Sequence, residues 1–147
     1  MKIYFASDHA GFEMKKTLVG FVKELGFDVE DLGPYELNPE DDYPEFVEKA
    51  AQKVSEDSEN ARAVILGGSG QGEAIVANRF PNVRAVVFYG GSREVIKLSR
   101  EHNDANILSL GAKFLKLEDA QEAVKLWLET KFSGEERHKR RIKEIEL

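Results

Sequence analysis

Short apolar runs alternate with longer stretches of helical spacing along the whole chain. The runs Lys2–Ser7, Phe27–Leu32, Ala63–Gly67, Ala85–Tyr89 and Ile107–Leu110 predict five strands. Between them the apolar positions recur every three or four residues, as a helix face requires. Met14, Leu18, Phe21, Val22 and Leu25 form one stripe, and Val47, Ala50, Ala51 and Val54 a second. Val95, Leu98, Ser99 and His102 give a weaker third, while Ala120, Ala123, Val124, Trp127 and Leu128 give a clear fourth. An alternating βαβ order predicts a parallel sheet with right-handed crossovers and helices on both faces. The expected fold class is α/β, a Rossmann-like three-layer αβα sandwich on a five-stranded parallel sheet.

Two segments break the pattern. Gly33 to Pro44 is a long irregular loop rich in Pro, Asp and Glu, ending in Asp42-Tyr43-Pro44. From Gly134 the chain is strongly charged, with Arg137, His138, Arg140 and Arg141 clustered, which on composition reads as a solvated terminal helix. Neither resembles a domain linker, so residues 1–147 are expected to form one domain.

Composition narrows the chemistry. A net charge of -6 argues against nucleic acid and against an anionic membrane surface, since both require a basic face. No cysteine is present, which removes disulfides, thiolate metal sites and cysteine nucleophiles. The first residues, interrupted by Asp8, do not read as a signal peptide, and no apolar run is long enough to span a bilayer. A cytoplasmic location is expected.

The most distinctive stretch is Gly67-Gly68-Ser69-Gly70-Gln71-Gly72-Glu73, between the third predicted strand and a helical pattern over Ala74 to Arg79. A strand, a glycine-rich turn and a helix start place several backbone N–H groups around one concavity, which suits an anionic oxygen. The segment lacks the Gly-Lys-Ser/Thr of a phosphate loop, and Glu73 occupies the third glycine position of a dinucleotide fingerprint. Nicotinamide and flavin cofactors are therefore not expected, and no cofactor is. Glu73 either complements the helix dipole or accepts a proton; the dipole should hold it ionised near neutral pH. Ser69 is a turn hydroxyl or a donor to a ligand oxygen.

In an open parallel sheet, ligands bind beyond the carboxyl ends of the strands where the strand order reverses. With the common order 2-1-3-4-5, that crevice lies between the first and third strands. It would bring Ser7-Asp8-His9-Ala10-Gly11 against the glycine turn. His102 opens the polar run His102-Asn103-Asp104-Ala105-Asn106, where it serves either as an acid or base or as a helix C-cap. The three histidines, His9, His102 and His138, are too scattered to predict a metal site; Asp8-His9 is the one candidate ligand pair.

Together these residues resemble the type B ribose-5-phosphate isomerases, which include the galactose-6-phosphate isomerase subunits. The resemblance covers nearly the whole chain. It rests on the Ser7 to Gly11 turn, Asp42-Tyr43-Pro44, Gly68 to Glu73 with Ala77-Asn78-Arg79, Arg100 to Asn106, and Arg137-His138-Lys139-Arg140-Arg141. It implies aldose–ketose isomerisation of a phosphorylated sugar, most directly ribose 5-phosphate to ribulose 5-phosphate, with no metal or organic cofactor. Many members carry a cysteine base just before the glycine turn, where this chain has Gly67; another branch uses a glutamate placed as Glu73 is. By the same resemblance, Glu73 shuttles the proton, and the N–H groups of Gly68, Gly70, Gln71 and Gly72 with Ser69 hold the enediolate oxygens. His102 assists ring opening, Asp8 and Asn103 position hydroxyls, and His9, Arg137 and Arg141 bind phosphate. Lys113 stands where the family usually has a phosphate-contacting arginine. A homodimer or tetramer with the site at the subunit interface is implied. Six-carbon substrates such as allose or galactose 6-phosphate stay open, as do a noncatalytic phosphosugar-binding subunit and a nucleotide-binding module.

Overall fold

The computed structural model describes residues 1–146. Five parallel strands form one sheet: β1 (Lys2–Ser7), β2 (Asp28–Asp31), β3 (Ala61–Gly67), β4 (Ala85–Phe88) and β5 (Ile107–Gly111). Six helices surround it: α1 (Phe12–Glu24), α2 (Tyr43–Glu56), α3 (Gln71–Ala77), α4 (Glu94–Glu101), α5 (Leu117–Glu129) and α6 (Glu136–Ile145). The expected α/β class and parallel sheet are present.

The strand order differs from 2-1-3-4-5. It is β2-β1-β3-β5-β4, with β5 inserted beside β3 and β4 at the edge. The cause is the face on which each helix returns. α1 and α5 pack together on one face and α4 packs on α5, while α2 and α3 pack together on the other. Right-handed crossovers through α2 and α3 carry the chain one way across the sheet, and those through α1 and α4 carry it back. β5 must therefore lie on the near side of β4. Its residues suit that place, because Ile107, Leu108, Ser109, Leu110 and Gly111 are all buried. The crevice between β1 and β3 is unaffected by the swap.

β3 is the spine of the sheet. Val64 and Leu66 join Phe5, Leu18, Val22, Leu110 and Trp127 in one core; Ala63 and Ile65 join Ala6, Val47, Ala50 and Ala51 in the other. Burial on both faces explains why the strand reads as a continuous apolar run rather than an alternation. Val64, Ile65 and Leu66 are completely buried and contribute about 1.5–3 kcal/mol each, so the strand that ends in the glycine turn is firmly anchored. The edge strand β2, Asp28-Val29-Glu30-Asp31, is shorter and more polar than the predicted Phe27–Leu32.

The weak stripe on α4 is corrected by the structure. Its buried positions are Ile96, Ser99 and Arg100, whereas Val95 is 52% exposed. The charged tail is helical as expected, and within it His138 is buried.

Candidate active site

Two turns meet at the carboxyl edge of the sheet, between β1 and β3. After β1 the chain enters a short 3-10 turn, His9–Gly11, capped by Asp8, whose Oδ1 accepts a hydrogen bond from the Ala10 N–H at 2.9 Å. Across from it the glycine turn is fixed from below. Gly70 adopts φ +78°, a conformation glycine reaches without the cost a side chain would impose, and it turns the chain into α3. The buried Ser109 hydroxyl donates to the Gly70 carbonyl at 2.7 Å, and the Lys113 N–H donates to the Gly68 carbonyl at 3.0 Å. The end of β5 thus holds the turn in place. Ser69 is exposed at its crest, its hydroxyl accepting from the Gln71 N–H at 3.3 Å.

Glu73, in the first turn of α3, does not point to solvent. It is 4% exposed, and its carboxyl group folds back over Gly67. A β-carbon at Gly67 would overlap that carboxyl group, so the missing side chain is what makes room for it. Burial raises the pKa of Glu73 above the ordinary carboxylate range, and nearby Asp8 pushes the same way. The shift runs opposite to that of a first-turn dipole, because desolvation in the crevice outweighs it. A carboxylate raised toward neutrality is better matched to taking and returning a proton. Gly67→Ala should therefore displace the carboxylate and lower kcat by about 10²-fold or more while circular dichroism and Tm show a folded protein. A near-wild-type kcat would mean that the carboxylate position does not matter.

His9 stands at the mouth of the same crevice. Its Nδ1 lies 2.7 Å from Asp41 Oδ1, and its backbone N–H donates to the same oxygen at 3.0 Å. Among the described residues, Asp8, His9 and Asp41 form the one group whose ligand atoms, within 4.8 Å of one another, could surround a metal ion. The atoms Asp8 Oδ1, His9 Nδ1 and Asp41 Oδ1 already have hydrogen-bond partners within the protein. Lys113 lays its side chain along Gly68, and the phenol of Tyr43 packs on Gly72. Asp41 and Tyr43 were not singled out by sequence: one sits in an acidic loop that reads as solvated, the other in a motif that carries no role by itself.

The remaining predicted residues lie at the opposite edge. His102 occupies the C-cap position of α4, its N–H bonded to the Leu98 carbonyl at 2.9 Å. Asn103 follows it just before β5. β3 spans seven residues, so about 20 Å of strand separates this edge from the glycine turn. The imidazole of His138 stacks on His102, centroids 4.2 Å apart and planes 13° apart, which brings α6 across the amino edge. Burial lowers the pKa of His138, helped by His102 and by Arg137. Arg84 fastens the assembly: its guanidinium donates to the carbonyls of Asn103 at 2.9 Å and Asp104 at 3.0 Å, and to Glu146 at 3.3 Å. Arg100, buried beneath, donates to Asp104, Ala105 and Thr130. Arg137 and Arg141 are exposed on α6, Arg137 paired with Glu135 at 3.0 Å.

The chain therefore carries two polar half-sites. At the carboxyl edge are Asp8, His9, Gly68, Ser69, Gly70, Gln71, Gly72, Glu73 and Lys113: a buried carboxyl group beside the glycine turn. At the amino edge are His102, Asn103, Arg137 and Arg141: an imidazole near two exposed guanidinium groups, of which Arg137 is paired with Glu135. The first can move a proton on a carbon acid next to an oxyanion, and the second can hold a phosphate.

The family described as Ribose/Galactose Isomerase matches residues 3–145. The chain is 36% identical over 142 residues to ribose-5-phosphate isomerase B of Mycolicibacterium paratuberculosis, covering 97% of this chain and 87% of that one. It is 35% identical over 144 residues to ribose-5-phosphate isomerase B of Escherichia coli, covering 98% and 93%. Among solved structures, ribose-5-phosphate isomerase B of Mycoplasma genitalium with bound ribulose-5-phosphate superposes with a TM-score of 0.93 at 35% identity, covering 98% of this chain and 93% of that one. The Clostridium thermocellum ribose-5-phosphate isomerase B gives 0.91 at 39% identity, covering 99% and 95%.

Proposed function

The chain belongs to the ribose/galactose isomerase family, and from that premise we propose how its own residues carry out the reaction. It is an aldose–ketose isomerase of a phosphorylated sugar, interconverting ribose 5-phosphate and ribulose 5-phosphate. The Glu73 carboxylate takes the proton from C2 of the open-chain aldose. The C–H electrons form the C1–C2 double bond while the carbonyl electrons move onto O1. The N–H groups of Gly68 to Gly72 and the Ser69 hydroxyl meet the resulting cis-enediolate. The proton on O2 passes to O1, and Glu73 returns its own proton to C1, completing the ketose. The observation that carries this reading is the carboxyl group of Glu73 held in the space Gly67 leaves empty, at the lip of the N–H cradle.

Ring opening and phosphate capture need the other half-site, and one chain keeps the two about 20 Å of strand apart. A second copy supplies it: His102, Asn103, Arg137 and Arg141 of one protomer complete the crevice of the other, so the enzyme is a symmetric homodimer with two shared sites. An apolar groove along the edge strand, lined by Val86, Phe88, Val95, Leu98 and Asn103, supports this, because it adjoins the amino-edge half-site and leaves Val95 half-exposed. Among the described residues no helix is long and apolar enough to cross a membrane.

The reading is tested by kcat/KM over five- and six-carbon aldose phosphates with the purified protein. Ribose 5-phosphate should exceed allose and galactose 6-phosphates by about tenfold or more, as one extra carbon in a fitted pocket costs. A six-carbon substrate preferred by the same margin would reassign the substrate while leaving the proton shuttle in place. No turnover of any would overturn the assignment.

A further inference from the structure

Asp41 lies near the end of the loop between β2 and α2. Its side chain is only 4% exposed, although neighbouring Glu40 and Asp42 face solvent. Oδ1 accepts twice from one residue, the N–H of His9 at 3.0 Å and its Nδ1 at 2.7 Å. Oδ2 is buried with no partner among the described residues. A carboxylate oxygen removed from water and left unpaired is costly, and the backbone contact alone would pin the loop. The ring contact and the uncompensated charge call for another reason.

We propose that Asp41 is a positioning residue for His9, fixing its imidazole so that Nδ1–H points inward to the carboxylate and Nε2–H is presented outward to the substrate's phosphate. This rests on the reading of His9 as a phosphate ligand. A carboxylate has only lone pairs to offer, so the proton of the 2.7 Å contact sits on Nδ1. A neutral ring held that way has a bare lone pair on Nε2, which would repel a phosphate oxygen. Only the cationic ring donates from both nitrogens, and the buried negative charge of Asp41 stabilises that form. Asp8, on the same turn, acts in the same direction; burial and Lys113, from the turn after β5, oppose them. The net direction is upward, led by the hydrogen bond to Asp41. Donation from Nε2 to phosphate is present while the ring is cationic and is lost as pH rises through the raised value.

The proposal is tested first on the intact protein by nitrogen-15 NMR of the His9 ring through a pH titration. The expected result is a midpoint above the ordinary value of about 6.5, with the neutral ring above it in the Nδ1–H tautomer. A midpoint at or below that value, or a neutral ring carrying its proton on Nε2, overturns the proposal without any substitution. Kinetics supply the second arm. In Asp41→Asn the KM for ribose 5-phosphate should rise about tenfold or more over wild type between about pH 6 and about pH 8, with kcat nearly unchanged and inhibition by inorganic phosphate weakening in parallel. A profile that coincides with wild type overturns Asp41's role. His9→Ala separates the two readings. A KM unmoved by it removes His9 from the phosphate site, and this proposal with it. A KM that rises in His9→Ala but not in Asp41→Asn rejects Asp41 alone.

Discussion

Glu73→Gln should lower kcat for ribose 5-phosphate by about 10²–10⁴-fold or more while KM stays within a few-fold of wild type. The amide has nearly the same shape as the carboxyl group, so it fits the space above Gly67 and leaves the N–H cradle intact. It cannot accept a proton from carbon. Steady-state kinetics measure the loss, and exchange of the C2 hydrogen with deuterated solvent should vanish with it. A variant turning over near the wild-type rate would remove Glu73 as the base. The wild-type enzyme should show the matching pH dependence. The base works ionised, so rate is lost as pH falls through the pKa of Glu73, and burial places that loss at a higher pH than for an exposed carboxylate.

Two inactive chains should restore one another. Arg137→Ala/Arg141→Ala removes two charge-assisted contacts to phosphate, each about 1.5–3 kcal/mol, for a loss of roughly 10²–10⁴-fold in kcat/KM. Glu73→Gln damages the other half-site. When equal amounts are unfolded together and refolded, about half the dimers are mixed. Each mixed dimer has one crevice with both wild-type halves and one with both defects. Activity should therefore return to about a quarter of the wild-type value. A mixture no more active than its parts would show that one chain builds its whole site alone. The expected gain is far larger than any change in stability from either substitution, since Arg137 and Arg141 lie exposed on α6.

The parts of this protein legible in the sequence are those dictated by nearest neighbours along the chain. Val64-Ile65-Leu66 identifies a strand buried on both faces, and Gly68 to Glu73 identifies the turn it feeds, because both signals are local. The strand order departs from the common one because the side on which α3 and α4 return is settled by packing between distant segments. The upward shift of Glu73 is out of reach of local sequence for a related reason. A helix-dipole argument uses the residue's place in its own helix, whereas burial against Gly67 and Asp8 depends on two other strand ends. Asp41 left no trace at all. In sequence it is one acid among several, and only the fold brings it beneath His9. The half-sites were legible as motifs but not as separate places, since linear order says nothing about which edge of the sheet a turn occupies.

The fit of Glu73 against Gly67 also bears on how such enzymes change over generations. The family resemblance places a cysteine base at the position of Gly67 in one branch and a glutamate at the position of Glu73 in the other. In this fold the two bases claim the same volume, for even a β-carbon at position 67 meets the carboxyl group of Glu73. A lineage that gained the cysteine first would crowd out its working base. One that lost the glutamate first would have none. The two solutions are thus alternatives for one space, so a change from one to the other exchanges one base for another and cannot hold both in place at once.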